Sequence, residues 1–393
     1  MKFIHLSDLH IGKKLEGFSL YDDQKDILGK ITAVIAEERP DCVLIAGDVY
    51  DHSVPQEESV RLFYQFLKDI RALAVPVLAV SGNHDSAERL GFGAAFMGEA
   101  GMYFSESFTG ADSVRKVRLS DALGPVNIYL LPFLKPADVK HACSSDAEKI
   151  TSYHEAVAYV IERLALNKKE RNVLVAHQFV TGAVKCGSEK VTVGGIDNIG
   201  GEVFRDFDYV AMGHVHKYQN VPAGNERIHY SGTPLKYTFD DKDSEKSLTV
   251  VELGAKGELP EKRRVRLTPL RELRREQGTY EELMLKERYE PLPKDPKDNL
   301  PRDFFQITLT DEQDVPDAFI KLSCVYKNLV HLEYANKRTG CDQELGAAGE
   351  EERVRGPLDL ARELYELQNN AAMTKEQEDL LSELIAKLEE ERA

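Results

Sequence analysis

Ile45-Ala46-Gly47-Asp48-Val49-Tyr50-Asp51-His52 is where an apolar run stops at a glycine and delivers an aspartate. Gly47-Asp48 taken alone is a turn signal, because both residues favour turns. Recurrence raises it above that. Phe3 to Leu6 reads as a strand ending at Asp8 and His10, and Cys42 to Ala46 as one ending at Asp48. Val77 to Val80 runs into Ser81-Gly82-Asn83-His84-Asp85, Val173 to Ala176 ends at His177, and Tyr209 to Met212 leads into Gly213-His214-Val215-His216. Helical stretches alternate with these runs. Asp23 to Glu38 carries Ile27, Ile31, Val34 and Ile35 on one face, and Glu57 to Leu73 carries Val60, Phe63, Leu67 and Ile70 at helical spacing. The alternation is that of an α/β fold. Val126 to Leu131 reads as a further strand, Tyr153 to Leu166 as a helix and Ser247 to Leu253 as a closing antiparallel strand, whereas residues 86 to 124 show no clear period.

Ligands gather beyond the carboxyl ends of strands in such sheets, so groups some 200 residues apart can converge. The set Asp8, His10, Asp48, Asn83, His177, His214 and His216 combines imidazole nitrogen with carboxylate and amide oxygen and contains no thiolate. That mixture suits manganese, iron or zinc better than magnesium or calcium. Seven ligands are too many for one ion and fit two ions roughly 3.5 to 4 Å apart that share a carboxylate, for which Asp48 is the candidate. A lone His10 or His177 would more often be a hydrogen-bonded core histidine, and His5, inside the first strand, has that reading.

The chain of 393 residues is long for one core, which predicts a large domain with smaller units. No stretch reads as a membrane span or a signal peptide, and a cytoplasmic protein is expected. The five cysteines (Cys42, Cys143, Cys186, Cys324, Cys341) form no CxxC pair, against both a disulfide framework and a zinc knuckle. The net charge of −16 is concentrated in the tail: Cys341 to Ala393 has 15 acidic against 6 basic residues. Lys262 to Arg275 holds seven basic residues against Glu272, and is read either as a solvated edge strand or helix face or as a phosphate-facing patch.

Asp8-Leu9-His10, Gly47 to His52, Gly82-Asn83-His84-Asp85, His177 and Gly213-His214-Val215-His216 resemble the motifs of the calcineurin-like metallophosphoesterases. The resemblance implies a two-sheet α/β sandwich. His52 departs from the protein Ser/Thr phosphatases, which place an arginine there, and matches the repair nucleases. The opening Met1 to Lys13 resembles the SbcD family of bacterial nuclease subunits, which act with an SbcC-type ATPase. By that resemblance one metal is held by Asp8, His10, Asp48 and His216, and the other by Asp48, Asn83, His177 and His214, with Mn²⁺ expected ahead of Mg²⁺. His84 is then the proton donor to the leaving oxygen, with Asp85 holding its imidazole, and His52 contacts or orients the phosphate; a surface histidine is the alternative for His52. The implied reaction is in-line attack of an activated water on a DNA phosphodiester, with ATP-dependent double-strand exonuclease and single-strand endonuclease activity alongside the partner, in end processing, hairpin cleavage, replication and recombination. A small-phosphodiester enzyme and a catalytically silent scaffold are the alternatives.

The expected layout is 1–270 nuclease domain, 271–336 small α+β capping domain, 337–356 linker and 357–393 helical tail. Within the capping unit Thr279 to Lys286 and Asp317 to Tyr326 read as helices, and Phe304 to Leu309 and Leu329 to Tyr334 as strands. In the tail Leu360, Leu364 and Leu367 form one stripe, and Leu381, Ile385 and Leu388 beside Leu380 and Leu384 a second, with Thr374 as N-cap. Family resemblance makes the base of the SbcC coiled coil their partner and implies a homodimer within a heterotetramer. The Glu57 to Leu73 helix is a candidate dimer surface, or simply core.

Overall fold

The computed structural model describes residues 1–143, 150–184, 198–224, 226–336 and 372–390, with a few positions between 358 and 365. The expected linker 337–356, Leu360, Leu367, the side chain of Leu388, Cys186 and Cys341 lie outside the described residues. The chain divides into two compact units, Met1–Glu272 and Leu273–Ala393.

In chain order the elements used below are β1 (Lys2–Leu6), α1 (Tyr21–Glu38), β2 (Cys42–Ala46), α2 (Glu57–Ala72), β3 (Val77–Val80), β4 (Met102–Phe104), β5 (Arg115–Asp121) and β6 (Gly124–Leu130), followed by α3 (Tyr153–Arg163), β7 (Arg171–His177), β8 (Tyr209–Gly213), β9 (Gln219–Asn220), β10 (Ile228–Tyr230), β11 (Ser247–Glu252) and β12 (Glu261–Arg266). One six-stranded sheet has the order β12-β11-β1-β2-β3-β4, the other β9-β10-β8-β7-β6-β5. In the first, β1 to β4 run parallel, while β11 and β12 close the far side antiparallel. In the second, β6, β7, β8 and β10 are parallel.

The inner strands β2, β3 and β8 are continuous apolar runs because both their faces are covered. Phe3, Leu44, Ala46, Leu78 and Val80 meet Val126, Ile128, Leu130, Val173 and Val175 between the sheets. On the outer face of the second sheet Leu174, Ala176, Val210 and Met212 pack with Val157, Val160 and Ile161 of α3. That helix starts at a capping box in which Ser152 and Glu155 satisfy each other's amides. On the first sheet, α1 buries Ile27, Leu28, Ile31 and Ile35 and stops at Arg39, which takes the left-handed conformation before Pro40. The buried residues of α2 are Ser59, Leu62, Phe63, Phe66 and Ile70, while Val60 and Tyr64 are exposed. Val60 therefore does not belong to the stripe expected from spacing.

The basic run belongs mostly to an edge strand. In β12, Arg263 reaches Glu38 at 2.5 Å, Arg266 reaches Glu245 at 3.1 Å, and Arg264 bonds Ser247 at 2.8 Å while lying over the Tyr218 ring. Arg271 is paired with the buried carboxylate of Asp23. The run thus lies on an edge strand whose Arg263 and Arg266 side chains stay largely exposed while pairing with acids.

The second unit contains the parallel sheet β13 (Leu273–Gly278), β14 (Phe304–Leu309) and β15 (Leu329–Tyr334), with α4 (Ala318–Ser323) between the last two strands. Phe305, Ile307 and Leu309 pack with Leu322, Tyr326 and Leu329. Further on, α5 (Lys375–Glu390) starts at Thr374, whose hydroxyl accepts from Gln377 N while Gln377 Oε1 accepts from Thr374 N. No helix among the described residues is long and apolar enough to cross a membrane.

Candidate metal centre

β1, β2, β3, β7 and β8 end side by side, and the residues just past their last hydrogen bonds form the site. Beyond the strands the chain stays tied. Asp8 N donates to Gly47 O, His10 N to Asp48 O and Ile11 N to Val49 O, so residues 8–11 and 47–49 run as a bonded pair into the cleft. The backbone there is forced: Asp8, His10, Asp48 and His214 all have positive φ, at 53°, 43°, 49° and 95°. Non-glycine residues held there cost of order 1–3 kcal/mol each and persist only where their surroundings demand it.

All seven predicted ligands come together. His10 Nε2 lies 3.2 Å from His216 Nε2, and His216 Nε2 lies 3.9 Å from Asp8 Oδ1. Asn83 Oδ1 is approached by His214 Nδ1 at 2.8 Å and by His177 Nε2 at 3.0 Å. Asp48 lies between the two groups: its Oδ2 is 3.3 Å from His177 Nε2 and 3.7 Å from His10 Nε2. The strand ends at Gly213 and His214 has positive φ, so His214 and His216 serve different groups rather than sharing a face.

Two glycines make the approach possible. A Cβ on Gly82 would sit 2.2 Å from Asp48 Oδ1, and one on Gly47 would sit 2.3 Å from His177 Nδ1. The glycine before each ligand is thus a clearance requirement as well as a turn.

The donor chemistry fits cations. His177 Nδ1 is 2.8 Å from the carbonyl of Ala46, which can only accept, so Nδ1 carries the proton and a neutral His177 aims its Nε2 lone pair at two acceptor oxygens. Asp8 and Asp48 are buried, and among the described residues no lysine or arginine is paired with either. Buried carboxylates need such compensation. The electrostatics say the same. Burial opposes protonation of His177, yet the Asp48 and Asp8 carboxylates outweigh it and push its pKa up to about 9. Burial pushes Asp48 up as well, but His177, His10 and His84 together hold its carboxyl well below the usual range. Asp8 moves the other way, raised by burial and by the like charge of Asp48. Three candidate ligand triads emerge: Asp8, His10 and His216; Asp8, Asp48 and His177; and His10, Asp48 and His84.

One expectation is corrected by the geometry. Asp85 does not hold the His84 imidazole. Its carboxylate accepts from the amides of Val49 (3.1 Å), Tyr50 (2.9 Å) and Gly82 (2.9 Å), while His84 Nδ1 lies 2.9 Å from the carbonyl of Asp51. His52 is turned outward, its side chain 77% exposed, with Nε2 3.4 Å from Asp51 Oδ2. Asp51, its neighbour, is the residue that faces the site: its Oδ1 is 3.2 Å from His10 Nδ1 and 2.8 Å from Lys13 Nζ. Motif reading misses Asp51 as a site residue, and its place in the stretch Gly47 to His52 is the signal that could have found it. His5 is a core histidine, with Nδ1 2.9 Å from the Tyr209 hydroxyl.

A metal centre at the strand ends of a two-sheet sandwich defines a calcineurin-like phosphoesterase, and residues 1–218 match the family model of that description. Residues 268–369 match a model described as type 5 capsule protein repressor C-terminal domain. The SbcD subunit of the nuclease SbcCD from Staphylococcus epidermidis is 30% identical over 336 residues, covering 84% of this chain and 85% of the relative. The chain belongs to the SbcD family of calcineurin-like phosphoesterases. Among solved structures, a dimetal phosphatase from Danio rerio is 14% identical over 69% of this chain and 98% of its own, with a TM-score of 0.40. The calcineurin-like phosphoesterase YfkN from Bacillus subtilis is 13% identical over 68% and 90%, with a TM-score of 0.37.

Proposed function

We propose that this chain is a DNA nuclease subunit that hydrolyses phosphodiester bonds at a centre of two Mn²⁺ ions, working with an SbcC-type ATPase. The carrying observation is the convergence of seven acceptor side chains from five strand ends around Asp48. Asp8, His10, Asp48 and His216 would hold one ion, and Asp48, Asn83, His177 and His214 the other. Such a pair supplies Lewis acidity to the phosphate oxygens and makes an attacking water acidic near neutral pH. The chain's own groups do the rest. His84 Nδ1–H is committed to the Asp51 carbonyl, which leaves Nε2 to pass a proton to the leaving oxygen. The Asp8, His10, Asp48 and His216 side chains are buried, which excludes bulk water from one side of the reacting phosphate.

DNA as substrate, and ATP-dependent double-strand exonuclease with single-strand endonuclease action, rest on the SbcD kinship; they place the activity in end processing, hairpin cleavage, replication and recombination. Kinship also supports the capping role of the second unit and a homodimer within a heterotetramer. For the partner there is also a physical argument, since α5 leaves Leu380 and Leu384 exposed at 60% and 48%. Leu364 is exposed too, and Arg362 and Tyr365 tie that segment to α5 through Glu378 and Gln377. An apolar stripe of this kind fits a helical partner.

The test is cleavage of linear duplex, single-stranded circle and a small phosphodiester, each with Mn²⁺ or Mg²⁺, by wild type and His84→Ala. The expected result is Mn²⁺-dependent cleavage of DNA, lowered about 10²- to 10⁴-fold by His84→Ala with metal content unchanged. Activity confined to the small ester would replace the DNA reading with that of a small-phosphodiester enzyme, and no activity on any substrate would leave the scaffold reading.

A further inference from the structure

Of the seven candidate ligands, Asp8, His10, Asp48, His177 and His216 are buried, whereas Asn83 is exposed and His214 half-buried. The group around Asn83 is therefore open on one side, and its two rim ligands lack the enclosure that holds the other five in place. His214 in addition has a φ of 95°, a conformation that its surroundings must maintain.

What encloses His214 is aromatic. The half-buried Phe133 ring lies nearly parallel to its imidazole, with an interplanar angle of 21° and 6.3 Å between centroids, while Phe179 meets it edge-on at 6.4 Å and 73°. Phe133 also meets the His177 ring edge-on at 6.2 Å and the Tyr153 ring at 6.1 Å. Offset-parallel and edge-to-face pairs at such distances are favourable beyond the area they bury.

The backbone delivers this ring. Past the end of β6, Leu131 N donates to Val175 O at 2.9 Å, and Phe133 N then donates to Ser81 O at 2.9 Å. Leu134 is fully buried, and its carbonyl accepts from Gln178 Nε2 at 3.3 Å. Phe133 is thus strapped between a residue that precedes Asn83 and one that follows His177. From there its ring backs the His214 imidazole, whose Nδ1 lies 2.8 Å from Asn83 Oδ1.

We propose that Phe133 is a positioning residue of this centre: its ring stacks on the His214 imidazole and keeps Nδ1 directed at the space shared with Asn83 and His177. It thereby serves the ion of the open group and leaves that of the buried group untouched. This rests on the two-metal reading of the site. Its test reads metal binding, so failure of the DNA assignment would leave it standing.

The experiment is Mn²⁺ titration of the metal-stripped full chain by electron paramagnetic resonance, which distinguishes an isolated Mn²⁺ from a magnetically coupled pair, with a thermal melt of each metal-free variant. Phe133→Ala and Phe133→Leu are each expected to weaken one of the two ions roughly 3- to 10-fold, the loss of one aromatic pair. The coupled signal then appears at higher Mn²⁺, while the other ion binds as in wild type. Phe133→Tyr keeps the ring and the wild-type affinity. Leucine fills the space without a π face, so wild-type binding in Phe133→Leu would reduce Phe133 to packing and overturn the proposal, as would a Phe133→Tyr variant as weak as Phe133→Leu. These two variants keep a large side chain at the position, so the test stands even if Phe133→Ala does not fold. A second arm reads the route of the effect. In a His214→Ala chain, adding Phe133→Ala should leave the remaining Mn²⁺ affinity unchanged; a further loss would overturn the role given to His214. A wild-type chain that binds a single Mn²⁺ would overturn the two-metal reading and the proposal together, whereas two ions in wild type with no effect of Phe133→Leu would overturn the proposal alone.

Discussion

Asp48 lies between the two groups of candidate ligands, 3.3 Å from His177 and 3.7 Å from His10. Asp48→Ala should therefore abolish binding of both ions, while His216→Ala first weakens only one; metal content after desalting at rising Mn²⁺ distinguishes them. The ligands themselves are legible in the sequence because each stands at the end of an apolar run, where the strand fixes the direction of the chain. The residues that serve the ligands are not. In a turn adjacent side chains can point opposite ways, and here Asp51 faces inward while His52 is left in solvent. Adjacency misleads for the same reason when it pairs Asp85 with His84: the Asp85 oxygens bond amides, two of them across the cleft on Val49 and Tyr50.

At the scale of elements, β2 spans Cys42–Ala46 and β3 spans Val77–Val80, the bounds the apolar runs predict. A strand buried on both faces announces itself by composition, with no need for phase. A helix must be phased, and α2 shows the difficulty. Both Val60-Phe63-Leu67-Ile70 and Leu62-Phe63-Phe66-Ile70 satisfy helical spacing, and only packing selects the second. Phe63, 3% exposed, meets the rings of Tyr50 and Phe104. Phe63→Ala should cost about 3–5 kcal/mol in urea unfolding. Val60→Ser, at a 43% exposed site, should stay within about 0.5 kcal/mol. Residues 86–124 escape the reading because three of the elements there, Ala87–Leu90, Ala94–Met97 and β4, are too short to establish a period.

At the scale of the molecule, the proposed function gives the two units separable duties. Deleting residues 357–393 should leave cleavage of a small phosphodiester at the wild-type rate and abolish capture by an SbcC-type ATPase in a pull-down; undiminished capture would remove the tail from the partner surface. The first unit has a different property, which follows from where its ligands lie in the chain. His10 and His216 meet at 3.2 Å although 206 positions separate them, and β1 gains its antiparallel neighbour only from Ser247–Glu252. During translation, a chain that has not yet reached His214 and His216 lacks one or more ligands for each ion. Under the proposed two-ion assignment, the capacity to hydrolyse a phosphodiester arrives only when synthesis of the first unit is nearly over.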